Sequence, residues 1–178
     1  MLLGSEWSVY WAKVAQQVAA EQAVVNAAHT AGVPVYGICF GAQMIAAALG
    51  GSVARAHVPE IGWYDNIVSE LPNVIPPGPW MQWHSDIVTL PPGAQELARS
   101  PLATQAFRIR RTFATQFHPE VTEAMVTRWA LSPNAEAELQ RVGLTAEELR
   151  TLTSQNVIAS RPNAERIVDW FLDEVAGT

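Results

Sequence analysis

The only cysteine of the chain, Cys39, lies at a predicted bend between an apolar β-rich stretch and a segment rich in Ala, Met, Ile and Leu. Gly37 and Gly41 flank it, and small residues permit the tight, strained turn that displays a nucleophile at a strand end. The N-terminus of the following helix would point at the sulfur, where its dipole favours a thiolate. A lone cysteine is most often a small buried hydrophobe. This setting instead makes Cys39 a candidate catalytic nucleophile.

His118 and Glu120 are the candidate partners of this cysteine. His118 directly follows the strand-like residues 113–117, and Pro119 separates it from Glu120. A cysteine nucleophile needs a base within hydrogen-bond reach, and the base needs a third group that fixes its tautomer. Glu120 is able to orient His118 in this way, and the alternative role of capping the next helix is compatible with it. The sequence supplies the three groups without showing that they meet.

Composition argues against several other kinds of protein. The 178 residues are 49% apolar, which is ample for the core of one domain. The net charge of −6 argues against nucleic-acid binding. A single cysteine forms no internal disulfide, so we expect a reducing cytoplasm. The N-terminus lacks the basic region of a signal peptide, no apolar run is long enough to cross a bilayer, and the four histidines lack ligand spacing. We therefore expect neither a membrane nor a metal site.

Hydrophobic periodicity predicts alternating helices and strands with many turn signals between them. Residues 71–79, which contain four prolines, predict a loop, and Arg110 and Arg111 predict the tip of a hairpin. This order favours an α/β sheet flanked by helices within one domain. The predicted helices are 11–31, 41–49, 94–98, 121–131, one capped by Ser132, one capped by Thr145, and 163–175. The predicted strands are 33–38, 52–56, 61–68, 81–84, 87–90, 104–109 and 112–117.

Two motifs resemble the signatures of the class I glutamine amidotransferases: GICFGAQ at 37–43 and QFHPEV at 116–121. GSEWSV at 4–9 resembles the glycine-rich oxyanion loop of that family, and PEIGW at 59–63 and QWHSD at 82–86 resemble motifs of its GMP-synthase-like branch. The likeness covers nearly the whole chain in order. It implies a flavodoxin-like fold over residues 1–178 as a single domain, with a mostly parallel central sheet and helices on both faces.

By this resemblance the chain hydrolyses the side-chain amide of glutamine through a γ-glutamyl thioester, without a metal or an organic cofactor. Cys39 is then the nucleophile, His118 the base and Glu120 the group that orients it. The resemblance also implies two further sets of residues. Oxyanion donors come from Phe40 with Gly4 or Ser5, and glutamine is held by Gln43, Ser85 and Asp86. Because the sequence lacks a phosphate-binding loop with lysine, either ammonia would go to a separate synthetase or acceptor protein, or the enzyme would act alone.

The sequence departs from the family pattern at its beginning. Ser5 replaces the second glycine of the oxyanion loop, and Glu6 replaces its proline. Only residues 1–3 precede this loop, where family members carry further strands and a helix. We hypothesise that Met1 is a misassigned start or a truncation, in which case an exposed sheet edge would favour a homo-oligomer.

Two other functions fit part of this pattern. A γ-glutamyl hydrolase or peptidase of the same superfamily would keep the Cys-His-Glu triad, although the motifs at 59–63 and 82–86 favour the amidotransferase. A non-catalytic regulatory or binding module is favoured only by the altered loop and the short N-terminus. These alternatives predict different products from glutamine and from γ-glutamyl peptides.

Overall fold

A five-stranded sheet and a two-stranded ribbon form the centre of the computed structural model, which describes residues 1–177. The sheet order is β1-β7-β6-β5-β3, and β2 pairs with β4 to form the ribbon. The strands are β1 (Val35–Ile38), β2 (Ser52–Tyr64), β3 (Val68–Ser69), β4 (Trp80–Thr89), β5 (Gln95–Arg99), β6 (Thr104–Ile109) and β7 (Thr112–Thr115).

The sheet is mixed, and its parallel part is the end that carries Cys39. β1 and β7 pair in parallel, and Leu2 adds a parallel bridge to Gly37 on the other side of β1. The pairs β7–β6, β6–β5 and β5–β3 are antiparallel. The predicted α/β class is therefore confirmed, and the predicted parallel pairing lies where the candidate nucleophile needs it.

Helices cover both faces of the sheet, as predicted. One face packs against the first two helices through residues such as Val25, Val35 and Ala114, and the opposite face packs Tyr36 and Phe113 against the C-terminal helix. The α-helices are α1 (Ala15–Thr30), α2 (Phe40–Ala48), α3 (Glu123–Ala130), α4 (Ala135–Gln140) and α5 (Ala146–Trp170). A 3₁₀ turn (Ala12–Val14) precedes α1, and a π-helical turn (Phe171–Val175) follows α5.

The strands predicted at 52–56 and 61–68 merge into one long strand, β2, which ends at Tyr64, so the break predicted between them is wrong. The register with β4 is irregular between Arg55 and Glu60, and Pro59 lies in that irregular stretch. Because proline has no N–H to donate, it is tolerated at such an irregularity of a strand that pairs on one side only. The strands predicted at 81–84 and 87–90 likewise merge into β4.

The predicted helix at 94–98 is wrong, because residues 95–99 form β5. This strand pairs with β3 on one side and β6 on the other. The pairing buries Leu97 and Ala98 in the core. Burial and pairing with distant strands outweigh the weak helical preference of the local sequence.

The C-terminal part keeps its predicted cap but not its predicted boundaries. The capping box of Thr145 and Glu148 is present. α5 continues through Pro162, where the predicted break would have started a new helix at residue 163. Proline usually breaks a helix, but Leu149 and Ile167 are fully buried on either side of it and hold α5 together. α4 begins after Asn134, so the predicted cap at Ser132 is wrong.

Arg111 fixes the end of the chain to the β6–β7 hairpin. Its guanidinium donates to the carbonyl oxygens of Val175 at 3.2 Å and Ala176 at 2.6 Å. These carbonyl groups lie at the end of the last helical segment and have no donor within the helix. A cation there supplies hydrogen bonds to them and interacts favourably with the helix dipole. A residue predicted only as part of a hairpin tip thus anchors the segment that covers one face of the sheet.

We expect Arg111→Ala to lower the free energy of unfolding by about 1–2 kcal/mol, because charge-assisted hydrogen bonds are lost. Urea denaturation measures this change. The matched control is Arg161→Ala on the exposed surface of α5, for which we expect a change within about 0.5 kcal/mol. Equal values for the two variants would contradict the anchoring role.

Candidate active site

Cys39 occupies a strained turn between β1 and α2. Its φ of 53° and ψ of −106° place a non-glycine residue in a sparsely populated conformation. The backbone N–H of Cys39 donates to the carbonyl oxygen of Thr115 at 2.8 Å, and its carbonyl accepts from Gln43 at 3.1 Å. These bonds join the turn to β7 and to the first turn of α2. The side chain is 5% exposed and lies at the N-terminus of α2.

Two glycines allow the close packing that this turn requires. A Cβ on Gly37 would lie 2.5 Å from Cδ1 of Ile45, and a Cβ on Gly41 would lie 2.6 Å from the carbonyl oxygen of Leu2. Leu2 in turn exchanges backbone hydrogen bonds with β1 at Tyr36 and Ile38. The glycines of the GICFGAQ motif therefore let α2 approach β1 and let the N-terminal segment cross beside Cys39.

His118 follows β7 and is held in place by its own backbone. Its N–H donates to the carbonyl oxygen of Met81 at 2.8 Å, which ties the histidine to β4. The imidazole Nδ1 lies 2.8 Å from Oε1 of Glu120, and Cys39 lies near enough to the ring for its charge to act on the pKa of His118. Trp129 packs its ring edge-on at 4.8 Å from the imidazole. The structure thus brings Cys39, His118 and Glu120 together in the predicted order.

Opposing effects act on the protonation of His118, which is 4% exposed. Burial favours the neutral ring, but the charge of Cys39 and the hydrogen bonds and charge of Glu120 outweigh it and raise the pKa of His118 to about 10. A pKa of about 10 favours the protonated form of the ring near neutral pH. A protonated His118 beside the sulfur is the state that can give a proton to a leaving amine.

This raised pKa makes the contribution of His118 to stability depend on pH. The folded ring holds its proton up to about pH 10, whereas the unfolded ring loses it near its ordinary value of 6.5. The stabilisation is therefore complete below about pH 6.5 and is lost as the pH rises towards 10. We expect the difference in unfolding free energy between the wild type and His118→Asn to shrink over this window in urea titrations. A difference that stays constant from pH 6 to pH 10 would contradict the raised pKa.

The predicted oxyanion residues lie around the same point. Phe40 begins α2, where backbone N–H groups have no helical partner. A Cβ on Gly4 would lie 3.1 Å from Cε1 of His118 and 3.8 Å from Cβ of Cys39. Gly4 therefore lies directly against the candidate catalytic pair. Ser5 is exposed, and its Oγ accepts a hydrogen bond from the N–H of Trp7 at 3.2 Å, so its hydroxyl supports the turn of this segment.

We expect Gly4→Ala to reduce turnover about tenfold, because the added methyl would push against the His118 ring and small displacements at a reacting centre are costly. Ser5→Gly is the matched control. It restores the glycine of the family pattern next to Gly4 and should leave turnover unchanged or increase it. Steady-state glutamine hydrolysis measures both variants, and unchanged turnover in Gly4→Ala would show that the contact with His118 does not matter.

The three predicted glutamine-binding residues have different surroundings. Gln43 is buried on α2, and its Nε2 donates to Oε1 of Gln116 at 3.4 Å. Ser85 is half-buried in β4. Asp86 is buried, and its carboxylate accepts from the hydroxyls of Ser8 and Tyr10, the latter at 2.8 Å. Asp86 therefore holds the segment that follows Gly4, and its role in binding glutamine stays a prediction.

Trp83 is a further residue of the site, for which the sequence predicted no catalytic or binding role. The Cys39 thiol contacts the carbonyl oxygen of Trp83 at 3.8 Å. The indole N–H of Trp83 donates to Oε2 of Glu138 at 2.7 Å, and its ring packs edge-on against Trp129 at 6.0 Å. Trp83 lies within the QWHSD motif, but its partners on α3 and α4 are far away in sequence and no local spacing announces them.

Other features of the described residues lie apart from this site. A surface cleft of about 540 Å³ is lined by Asn66, Arg99, Ser100 and neighbouring residues, and by none of the candidate catalytic residues. Among residues 1–177, no group of three or more His, Cys, Asp or Glu side chains is arranged to hold a metal ion. Within the same residues, none of the helices combines the length and the hydropathy needed to cross a bilayer.

Comparison with known proteins identifies the family. The family model for class I glutamine amidotransferases matches residues 13–126, more than half of the chain. The chain belongs to the class I glutamine amidotransferase family. It is 41% identical over 109 residues to the glutamine-hydrolysing GMP synthase of Methylococcus capsulatus, covering 52% of this chain and 21% of that protein. It is 44% identical over 100 residues to the GMP synthase of Mycolicibacterium paratuberculosis, covering 51% and 18%.

Solved structures agree with this family. A glutamine amidotransferase from Thermotoga maritima superimposes with a TM-score of 0.81 at 24% identity, over 96% of this chain and 76% of that one, which shows the fold. A glutamine amidotransferase from Methylobacillus flagellatus gives a TM-score of 0.73 at 26% identity, over 88% and 69%. The alignments cover only about a fifth of the length of the two GMP synthases compared above.

Proposed function

We propose that this chain hydrolyses the side-chain amide of glutamine through Cys39, His118 and Glu120. The observation that carries the proposal is that His118, whose Nδ1 lies 2.8 Å from Glu120, shares its surroundings with Cys39. A Cβ on Gly4 would lie 3.1 Å from the His118 ring and 3.8 Å from Cβ of Cys39. A nucleophile, a proton carrier and an orienting carboxylate in this order form the unit that acyl transfer requires. In this proposal residues 1–178 act as one amidotransferase domain.

The reaction begins when Sγ of Cys39 attacks the carboxamide carbon of glutamine. The negative charge that develops on the amide oxygen is stabilised by the N–H of Phe40 at the start of α2 and by an N–H of Gly4 or Ser5. His118 then gives its proton to the amide nitrogen. The C–N bond breaks, ammonia leaves, and a γ-glutamyl thioester remains on Cys39.

The second half-reaction returns the enzyme to its starting state. The neutral His118 takes a proton from a water molecule, which attacks the thioester carbon. The C–S bond breaks, glutamate leaves and Cys39 recovers the electron pair. Gln43, Ser85 and Asp86 hold the amino and carboxylate ends of glutamine. Neither half-reaction requires a metal or an organic cofactor.

The relatives support ammonia transfer to a synthetase as the use of this reaction. GMP synthases that hydrolyse glutamine share 41–44% identity with this chain over about half its length. We propose that ammonia passes to a separate synthetase or acceptor protein. The thiol chemistry requires reduced Cys39, which fits a cytoplasmic setting. The homo-oligomer expected from an exposed sheet edge stays a prediction.

A substrate comparison tests this function against its alternatives. We expect the purified chain to release ammonia and glutamate from glutamine, with kcat/KM at least about tenfold higher than for γ-glutamyl peptides. The reverse preference would assign a γ-glutamyl hydrolase or peptidase. A chain that is inactive on both substrates, with and without cell extract to supply an acceptor, would favour the regulatory module.

A further inference from the structure

Glu60 and His84 form a buried polar pair that the proposed reaction does not use. They lie opposite each other on β2 and β4 and are 2% and 5% exposed. Nε2 of His84 lies 3.2 Å from Oε2 of Glu60. The same oxygen accepts hydrogen bonds from Ser100 at 3.0 Å and from Gln105 at 2.9 Å. These hydrogen bonds hold the buried Glu60 carboxylate in a fixed position beside the imidazole of His84.

The other side of the His84 ring contacts the backbone. Nδ1 lies 3.0 Å from the carbonyl oxygen of Asp86. Because a carbonyl only accepts, Nδ1 must carry the proton in this hydrogen bond. The His84 ring therefore contacts Glu60 on one side and the backbone of Asp86 on the other. Its bond to Asp86 bridges over Ser85, the residue between His84 and Asp86.

This connection lies at the irregular point of the β2–β4 ribbon. Asp86 pairs with Arg55, whereas His84 pairs with Glu60, so residues 56–59 stand opposite Ser85 alone. The regular ladder does not fix the backbone there. The hydrogen bond from His84 to Asp86 supplies the constraint that the interrupted ladder lacks.

Trp83 and Asp86, which lie on either side of His84 in β4, each contact a different part of the candidate active site. The carbonyl oxygen of Trp83 contacts the Cys39 thiol at 3.8 Å. The carboxylate of Asp86 accepts hydrogen bonds from Ser8 and Tyr10, which follow Gly4 in the N-terminal segment. Any rotation of β4 at residues 83–86 would move both contacts.

We propose that His84 is a positioning residue for glutamine hydrolysis and that it acts through its hydrogen bond to the backbone of Asp86. His84 holds Asp86 so that its carboxylate keeps residues 4–10 in place, with Gly4 against Cys39 and His118. The residue touches no reacting atom and acts on the oxyanion geometry through Asp86. The inference rests on the proposed function, because oxyanion geometry matters only to a chain that performs acyl transfer.

Two isosteric substitutions separate the two contacts of the ring. In His84→Asn the amide nitrogen replaces Nδ1, which keeps the bond to Asp86 and loses the contact with Glu60. In His84→Gln the amide nitrogen replaces Nε2, which keeps the contact with Glu60 and loses the bond to Asp86. We expect His84→Asn to retain kcat within about threefold and His84→Gln to lose about tenfold to hundredfold, mostly in kcat.

Two further readouts distinguish positioning from general stability. Iodoacetamide should alkylate Cys39 in His84→Asn at the wild-type rate, because this variant keeps the bond to Asp86. Hydrogen exchange in residues 4–10 should be faster in His84→Gln than in His84→Asn. A merely structural role predicts instead that activity follows the melting temperature, with no such order. Ser8→Ala, which removes one bond to Asp86, replaces His84→Gln if that variant does not fold, and it should also lower kcat and speed exchange.

Failure of this inference is distinguishable from failure of the proposed function. Wild-type turnover with equal kcat values and equal exchange in the two His84 variants would overturn the positioning role and leave the hydrolase intact. Absence of wild-type turnover would overturn the proposed function, and this inference with it. The exchange rates would then show only whether His84 orders residues 4–10.

Discussion

Cys39→Ser is expected to reduce glutamine hydrolysis by at least about 10³-fold and to leave the fold intact. The serine hydroxyl fits the space of the thiol, but it is not ionised near neutral pH. The variant therefore lacks an effective nucleophile beside His118 and Glu120. Ammonia release measures the loss of turnover, and thermal denaturation measures the fold. Retained turnover in this variant would remove Cys39 from the reaction.

Cys39→Gly and Cys39→Ala provide a matched control for the strain at this turn. Both variants are inactive by the same reasoning. Because the φ of Cys39 is 53°, glycine should relieve strain that alanine keeps. The glycine variant should therefore be more stable than the alanine variant by about 1 kcal/mol. A glycine variant that is the less stable of the two would show that the turn is not strained.

His118→Asn is expected to cause a loss of similar size, about 10³-fold or more in kcat. The asparagine side chain cannot carry a proton between sulfur, leaving amine and water, and residues that act as one unit lose nearly the whole effect together. The double variant Cys39→Ser/His118→Asn should therefore be little slower than either single variant. Steady-state kinetics of the three variants test this non-additivity.

Glu120→Gln is the graded control for that result. Glutamine at position 120 keeps an oxygen that can accept from Nδ1 of His118 but removes the charge that helps to raise the pKa of His118. Its loss of turnover should be smaller than that of His118→Asn. If the loss of turnover in Cys39→Ser/His118→Asn equalled the product of the losses in the two single variants, Cys39 and His118 would act independently.

The sequence predicted those features that depend on neighbouring residues. The bend at Cys39 requires glycines two positions away on each side, and the capping box of α5 requires Thr145 and Glu148 three positions apart. The β6–β7 hairpin is also local, with Arg110 at its tip. Spacing alone was therefore enough for these elements, and the candidate nucleophile was recognisable before any contact was known.

Features created by distant pairing were not predictable in the same way. β5 is a strand because β3 and β6 flank it, and nothing in residues 95–99 announces those neighbours. The contact of Trp83 with the thiol and the pair of Glu60 with His84 depend on the irregular register of β2 against β4. Such register is fixed by the whole core rather than by a short motif.

The N-terminal segment shows how the two kinds of information combine. The resemblance predicted an oxyanion loop at residues 4–9 and showed that Ser5 and Glu6 depart from the family pattern there. The structure shows Gly4 against His118, with Ser8 and Tyr10 bound to Asp86. The altered residues, Ser5 and Glu6, are exposed, whereas the contacts with His118 and Asp86 come from Gly4, Ser8 and Tyr10.

Labelling with 6-diazo-5-oxonorleucine, a reactive glutamine analogue, tests most directly the claim that Cys39 and His118 act on glutamine in one pocket. Intact-mass spectrometry and peptide mapping should show one adduct per chain, located on Cys39. Glutamine should protect Cys39 from labelling, and the His118→Asn variant should be labelled much more slowly than the wild type. Labelling of the wild type that is no faster than that of Cys39→Ala, or that glutamine does not suppress, would contradict the account.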